Sequence, residues 1–222
     1  RDGTVILYPM CAPNRRYERR KDIIDSLKTN FKISQIIDLS KYEAENRFLE
    51  GTGSIVFDHV NRLAYACLSP RTDKDILAEV CEILNYKAVP FHSHDPAGKE
   101  IYHTNVMMCI AEKFAVICMD SISDQQEREF VSDSLTKTGH EIIDISFEQM
   151  NQFAGNMLAI KTTENHTILA LSQSSFDSLT REQKNKIEKY SELVPLSIKT
   201  IETIGGGSAR FRITEVFSER IN

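Results

Sequence analysis

Four short stretches, each opening on a small or polar residue, recur at almost equal intervals along the chain. Gly53-Ser54 begins SIVFDHVNRLAYACL, Thr104-Asn105 begins NVMMCIAEKFAVICM, Gly155-Asn156 begins NMLAIKTTENHTILALS and Gly207-Ser208 begins SARFRITEVF. The intervals are 51, 51 and 52 residues. A period of this length marks a supersecondary unit that cannot bury its apolar face alone and must stack on its neighbours.

Each full unit has the same internal order. An apolar strand comes first, then a polar turn (58–61, 111–113, 162–165), then a second apolar strand, the pattern of a hairpin. A helix follows. Ile76, Leu77, Val80 and Leu84 share one face of 73–84, and Phe130, Val131 and Leu135 share one face of 125–136. The third helix is expected over 181–190. Ser123 and Thr180 stand at N-cap positions, each three residues before a Gln, which is a capping-box pattern. Closing strands are expected over 88–92, 141–145 and 193–196. The N-terminal stretch supplies strand 4–8, helix 16–27 and strand 33–39, the last part of another unit. The C-terminal stretch supplies the first strand of a fifth. These patterns predict an α/β ring of strand–strand–helix–strand units, closed by pairing of the chain ends. Residues 1–222 read as one domain, with the missing piece of the split unit expected upstream of Arg1.

A formal net charge of −5 argues against nucleic acid as a partner. The densest basic run, Arg15, Arg16, Arg19, Arg20 and Lys21, is broken by Glu18. Cys11, Cys67, Cys81, Cys109 and Cys118 are odd in number and include no C-x-x-C. They read as reduced thiols of a cytoplasmic protein, not as a disulfide framework or a zinc site. No apolar run is long enough to span a membrane, and no signal peptide is visible.

If the units surround an axis, the loops leading into their first strands meet at one end. Those loops hold Glu50-Gly51-Thr52-Gly53, His103-Thr104-Asn105, Phe153-Ala154-Gly155-Asn156 and Gly205-Gly206-Gly207-Ser208. A carboxylate and an imidazole facing one pocket form a constellation for binding a cation and moving protons.

LEGTGS (49–54), CLSPRTD (67–73), YHTNVMM (102–108), FAGNM (153–157) and ETIGGGSAR (202–210) resemble, in this order, the amidinotransferase and arginine deiminase-like hydrolases. That guanidine-modifying superfamily, the penteins, also contains dimethylarginine dimethylaminohydrolase. The resemblance covers essentially the whole chain and implies a five-fold pseudosymmetric α/β propeller with its first unit truncated. It implies hydrolysis of a C–N bond of arginine, a methylated arginine or citrulline by a Cys-His-Glu site, without metal or organic cofactor. Hydrolase and amidinotransferase are not separated by it. Glu50 would bind the guanidinium. His103 would be the general acid and base. Arg71, with Arg15 or Arg16, would grip the α-carboxylate, for which the planar guanidinium fork is suited. Asn105, Gly206 and Gly207 fall in the same motifs and are expected at the substrate. The expected partner is a small guanidine or ureido amino acid, with no membrane; self-association is left open.

Two departures qualify this expectation. The family's nucleophilic Cys follows the GGGSAR run, and Phe211 occupies that place. A phenyl ring cannot form the covalent intermediate that a thiolate forms. No other cysteine is clearly placed to substitute; Cys109, four residues after Asn105 in an expected strand, and Cys11, in a loop, are the candidates. The family's N-terminal portion, with a further acid that contacts the guanidinium, is also expected upstream of Arg1. A ligand-binding protein without catalysis and a protein-binding scaffold are the alternative readings.

Overall fold

A computed structural model describes residues 3–221. The N-terminal part comprises β1 (Thr4–Leu7), α1 (Lys21–Asn30) and β2 (Gln35–Asp38), with β1 and β2 parallel. Next come β3 (Val56–Asp58), β4 (Leu63–Leu68), α2 (Lys74–Leu84) and β5 (Lys87–His92). The following unit has α3 (Thr104–Met107), β6 (Met108–Ile110), β7 (Phe114–Ile117), α4 (Gln125–Lys137) and β8 (Glu141–Asp144). The third has α5 (Phe147–Asn151), β9 (Leu158–Lys161), β10 (Thr167–Ser172), α6 (Gln173–Ser178), α7 (Arg181–Glu188) and β11 (Glu192–Leu196). The last helix is α8 (Lys199–Gly205).

The three full units share one sheet topology. The first strand runs antiparallel to the second, and the second parallel to the third, in β3–β4–β5, β6–β7–β8 and β9–β10–β11. A tight turn makes the antiparallel pair, and the helix provides the longer crossover that a parallel pair requires. The sheets remain small and separate, so the architecture is a mixed α/β fold of repeated three-stranded sheets. First strands of successive units touch: β3 meets β6, and β6 meets β9. Among the described residues no helix is long and apolar enough to cross a membrane.

Alternation along β4 explains how one strand serves two cores. Side chains of a strand point to opposite faces in turn. Ala64 and Ala66 join a cluster with Leu39, Ile55, Ile76 and Val80 on the side of the N-terminal part. Tyr65 and Cys67 join the larger cluster with Phe91, Met108, Phe114 and Leu169 that runs through the remaining units.

Several expectations need correction. The helix over 16–27 is a 3-10 segment (Pro13–Glu18) followed by α1, and the chain is not helical at Arg19 and Arg20. At α4 the cap is Asp124, whose carboxylate accepts from Glu127 N–H, and not Ser123. Val131 and Leu135 are buried on that helix, whereas Phe130 is exposed. Thr180 does form the expected capping box with Gln183. Residues 104–107 form one helical turn before β6, where strand was expected. The C-terminal stretch forms a 3-10 turn over Ala209–Arg212 in place of a strand. The C-terminal end nevertheless meets the N-terminal part, at the end of α1: Phe31 bridges Arg220, Lys32 N–H donates to Glu219 O at 2.8 Å, and Ile221 N–H to Asn30 O at 2.9 Å.

Candidate functional site

The loops leading into the first strands are tied to one another directly. Asn105 N–H donates to Gly53 O at 3.2 Å, and its side-chain amide donates to Thr52 O at 3.1 Å. One unit further on, the Asn156 amide donates to Asn105 O at 2.9 Å. Thr104 Oγ1 donates to Ser54 O. Hydroxyls and amides at equivalent places in the repeat therefore satisfy the backbone that regular structure leaves unpaired.

These ties bring Glu50 and His103 together. His103 Nε2 donates to Glu50 Oε2 at 2.6 Å, with both side chains nearly devoid of solvent contact. The other carboxylate oxygen accepts from Cys11 N–H at 2.9 Å. Arg71 Nη1 lies 3.7 Å from Glu50 Oε2. Burial works against the charge on Glu50. The bonds from His103 and Cys11 N–H, with the charges of His103 and Arg71, outweigh it and hold the carboxyl below its ordinary range. Glu50 is thus a buried carboxylate and not a solvated loop acid.

Gly53 is needed for this geometry. A Cβ there would stand 3.0 Å from both His103 Nδ1 and Cε1, closer than ring and methyl carbons settle. Nδ1 itself is buried without a hydrogen-bond partner, so the imidazole is held at one nitrogen and free at the other.

Aromatic side chains flank the pair. Tyr102 packs edge-on against His103, with centroids 4.9 Å apart, and the Arg71 guanidinium lies 4.8 Å above the Tyr102 ring. Phe211 lies 6.0 Å from the His103 ring, and the backbone of Gly207 is pressed against Phe211. A cavity of about 130 Å³ is lined by Tyr102, Val106, Met150, Phe153, Gly206 and Phe211, together with Asn151 and Asn156. Phe153 has a left-handed backbone, φ 65°, which a bulky side chain rarely adopts and which marks a constrained position.

Of the expected site residues, Glu50, His103, Arg71 and Phe211 form one cluster, with Gly206 and Gly207 at its edge. Asn105 lies beneath it as a tie between loops. Arg15 pairs with Glu18 at 2.9 Å and also feels the charge of Glu50. Arg16 does not join: its Nε reaches Met10 O at 3.1 Å and Glu43 at 3.2 Å, bracing the loop over Glu50. Arg19 supports the same loop through Glu43 and Tyr8 O. The basic run is therefore consumed largely by internal pairs.

Cys109 is fully buried in β6, and burial pushes its thiol up to about 11. Cys67 is pushed up to about 12 in the same way, and Cys81 and Cys118 to about 11. These are protonated thiols at neutral pH, unsuited to nucleophilic attack. Cys11 is half-buried and stands beside the cluster through its backbone. Sequence reasoning gave no role to Tyr102, Phe153 or Met150. The repeat offered a signal for two of them, since Phe153 opens one of the converging loops and Tyr102 directly precedes another.

The family model for N,N dimethylarginine dimethylhydrolase, eukaryotic, matches residues 1–218. The chain belongs to that family. No curated protein sequence matches it. Among solved structures, it is similar to apo ArgZ, an arginine dihydrolase from the ornithine-ammonia cycle in cyanobacteria. The TM-score is 0.72 at 15% identity, over 99% of this chain and 31% of that one. A mutant of AgrE in a binary complex with L-arginine gives a TM-score of 0.72 at 15% identity, over 94% and 28%. A mutant of DDAH from Pseudomonas aeruginosa, complexed with citrulline, gives 0.56 at 13% identity, over 92% and 67%. The chain thus spans about a third of the length of ArgZ. These likenesses are of fold; together with the family match they put the chain in the pentein amidinotransferase/arginine-dihydrolase-like superfamily.

Proposed function

We propose that the cluster of Glu50, His103 and Arg71 binds an amino acid carrying a guanidine or ureido group. In this reading the chain does not complete the covalent hydrolysis of the C–N bond. The observation that carries the reading is the buried Glu50–His103 pair with Arg71 at 3.7 Å. Buried charges are retained where they are paired, and perturbed carboxylates concentrate at functional sites. Glu50 would face the guanidinium or urea group, Arg71 and then Arg15 the α-carboxylate. Gly206 and Gly207 would form the wall opposite His103.

In a member with a thiol at position 211, the thiolate attacks the central carbon and a C–N bond breaks. His103 protonates the departing ammonia or amine. His103 then takes a proton from water, which releases the product and the thiolate. Phe211 supplies neither lone pair nor proton, so this chain keeps binding and positioning but lacks the first step. The three repeated sheets, the N-terminal part and the contact of residues 219–221 with segment 30–32 support reading residues 1–222 as one five-unit propeller domain. The buried free thiols suit a cytoplasmic protein.

Calorimetry with arginine and citrulline tests this reading. Glu50→Gln should weaken binding of arginine by roughly 2 kcal/mol or more, the scale of a hydrogen bond to a charged group. No heat with either compound in the parent chain counts against it.

A further inference from the structure

Glu50 accepts two hydrogen bonds from the protein itself, from Cys11 N–H at one oxygen and from His103 at the other. The Arg71 guanidinium faces the second oxygen as an ion pair at 3.7 Å. Arg71 is itself a guanidinium. It lies in the angle between the Glu50 carboxylate and the Tyr102 ring, at 3.7 Å and 4.8 Å, the setting a bound guanidinium would seek. Its backbone is fixed at both ends: Arg71 N–H donates to Ser69 Oγ at 3.1 Å, and Ser54 Oγ donates to Arg71 O at 2.8 Å. The Ser69–Thr72 turn closes on itself by a backbone bond at 2.9 Å. The side chain is held by that ion pair and ring contact, with no hydrogen bond of its own among the described residues. It is 35% exposed, while the Glu50 side chain beneath it is 1% exposed.

We infer that Arg71 occupies the guanidinium position of its own site when no ligand is bound, and thereby selects ligands that bear a carboxylate. This rests on the proposed function above. A ligand with a cation at one end and a carboxylate at the other exchanges one internal pair for two new ones: its cation takes Glu50, and its carboxylate takes Arg71. A ligand with only the cation must displace Arg71 and leave it without a partner. Its apparent affinity is lowered by the fraction of time the site is open. Arg71 is thus a specificity-determining residue that discriminates by internal competition and not only by direct attraction. The remaining charges around Glu50 leave the competition to Arg71. Arg15 is held by Glu18, and His103 is already hydrogen-bonded to Glu50 at 2.6 Å.

The test compares methylguanidine with arginine by calorimetry on the parent chain, Arg71→Ala and Arg71→Met. Methionine keeps an aliphatic stem against Tyr102, and circular dichroism verifies the fold of each variant. Methylguanidine should bind about tenfold more tightly to the variants than to the parent, and arginine about tenfold more weakly. A residue that only gripped the carboxylate, or only held the loop, would not produce that crossover. If the parent binds arginine and neither variant gains affinity for methylguanidine, the inference fails while the proposed function stands. If no chain binds either compound, both fail.

Discussion

On the proposed reading, Phe211 takes the place of the nucleophilic sulfur in the cluster of Glu50 and His103. Its ring is 6.0 Å from His103, Gly207 packs against it, and the cavity opens beside it. Replacing Phe211 with Cys should therefore yield measurable release of ammonia or amine from arginine or a methylarginine. Loss of a covalent nucleophile costs up to about a millionfold in rate, so the parent should show none. The check is product release before and after the change, with circular dichroism to confirm folding. Activity in the parent that is blocked by thiol alkylation would direct attention to Cys11. Glu50 and His103 were legible in the sequence at repeat positions, and Arg71 through its motif alone. The partners of Arg16 and Arg71 were not, since Glu43 and Glu50 reach them only through the folded chain.

At the scale of elements, local chemistry fixed the units well and their ends less well. Asp124 and Ser123 are both acceptable caps by type, and only the actual start of α4 decides between them. Asp124→Ala should cost about 1 kcal/mol and Ser123→Ala a few tenths, read from denaturant midpoints. Equal losses would show that the cap is misplaced. The absence of a C-terminal strand has a related cause. Residues 208–217 carry alternating apolar residues, but a strand exists only where another backbone pairs with it. The partner found there is the segment 30–32, which meets only residues 219–221. Phe130 shows the same limit for a helix face: a periodic apolar position is buried only if a neighbour lies over it.

At the scale of the whole molecule, the close approach of successive units is what builds the site. Gly155 marks that approach. A Cβ on it would lie 2.4 Å from Val106 O and 2.9 Å from Met107 Cα, backbone atoms that cannot turn aside. Gly155→Ala should destabilise the protein by about 2 kcal/mol or more, since overpacking forces the two units apart. It should also weaken arginine binding, because Asn156 and Asn105 tie the same loops to Thr52. Denaturant unfolding and calorimetry on that one variant check both effects. An unchanged midpoint would mean that the units do not meet at Gly155.

The sequence by itself determined the repeat, the order of strands and helices within it, and the loops that carry a carboxylate and an imidazole. These follow from short-range regularities: period-two and helical apolar patterns, turn residues and spacing. Only the tertiary structure decided that Glu50 is buried, that it is paired with His103 and Arg71 together, and that Arg16 is spent on bracing a loop. A charge's partners, and the water excluded around it, depend on distances between residues far apart in the chain, which no local pattern encodes.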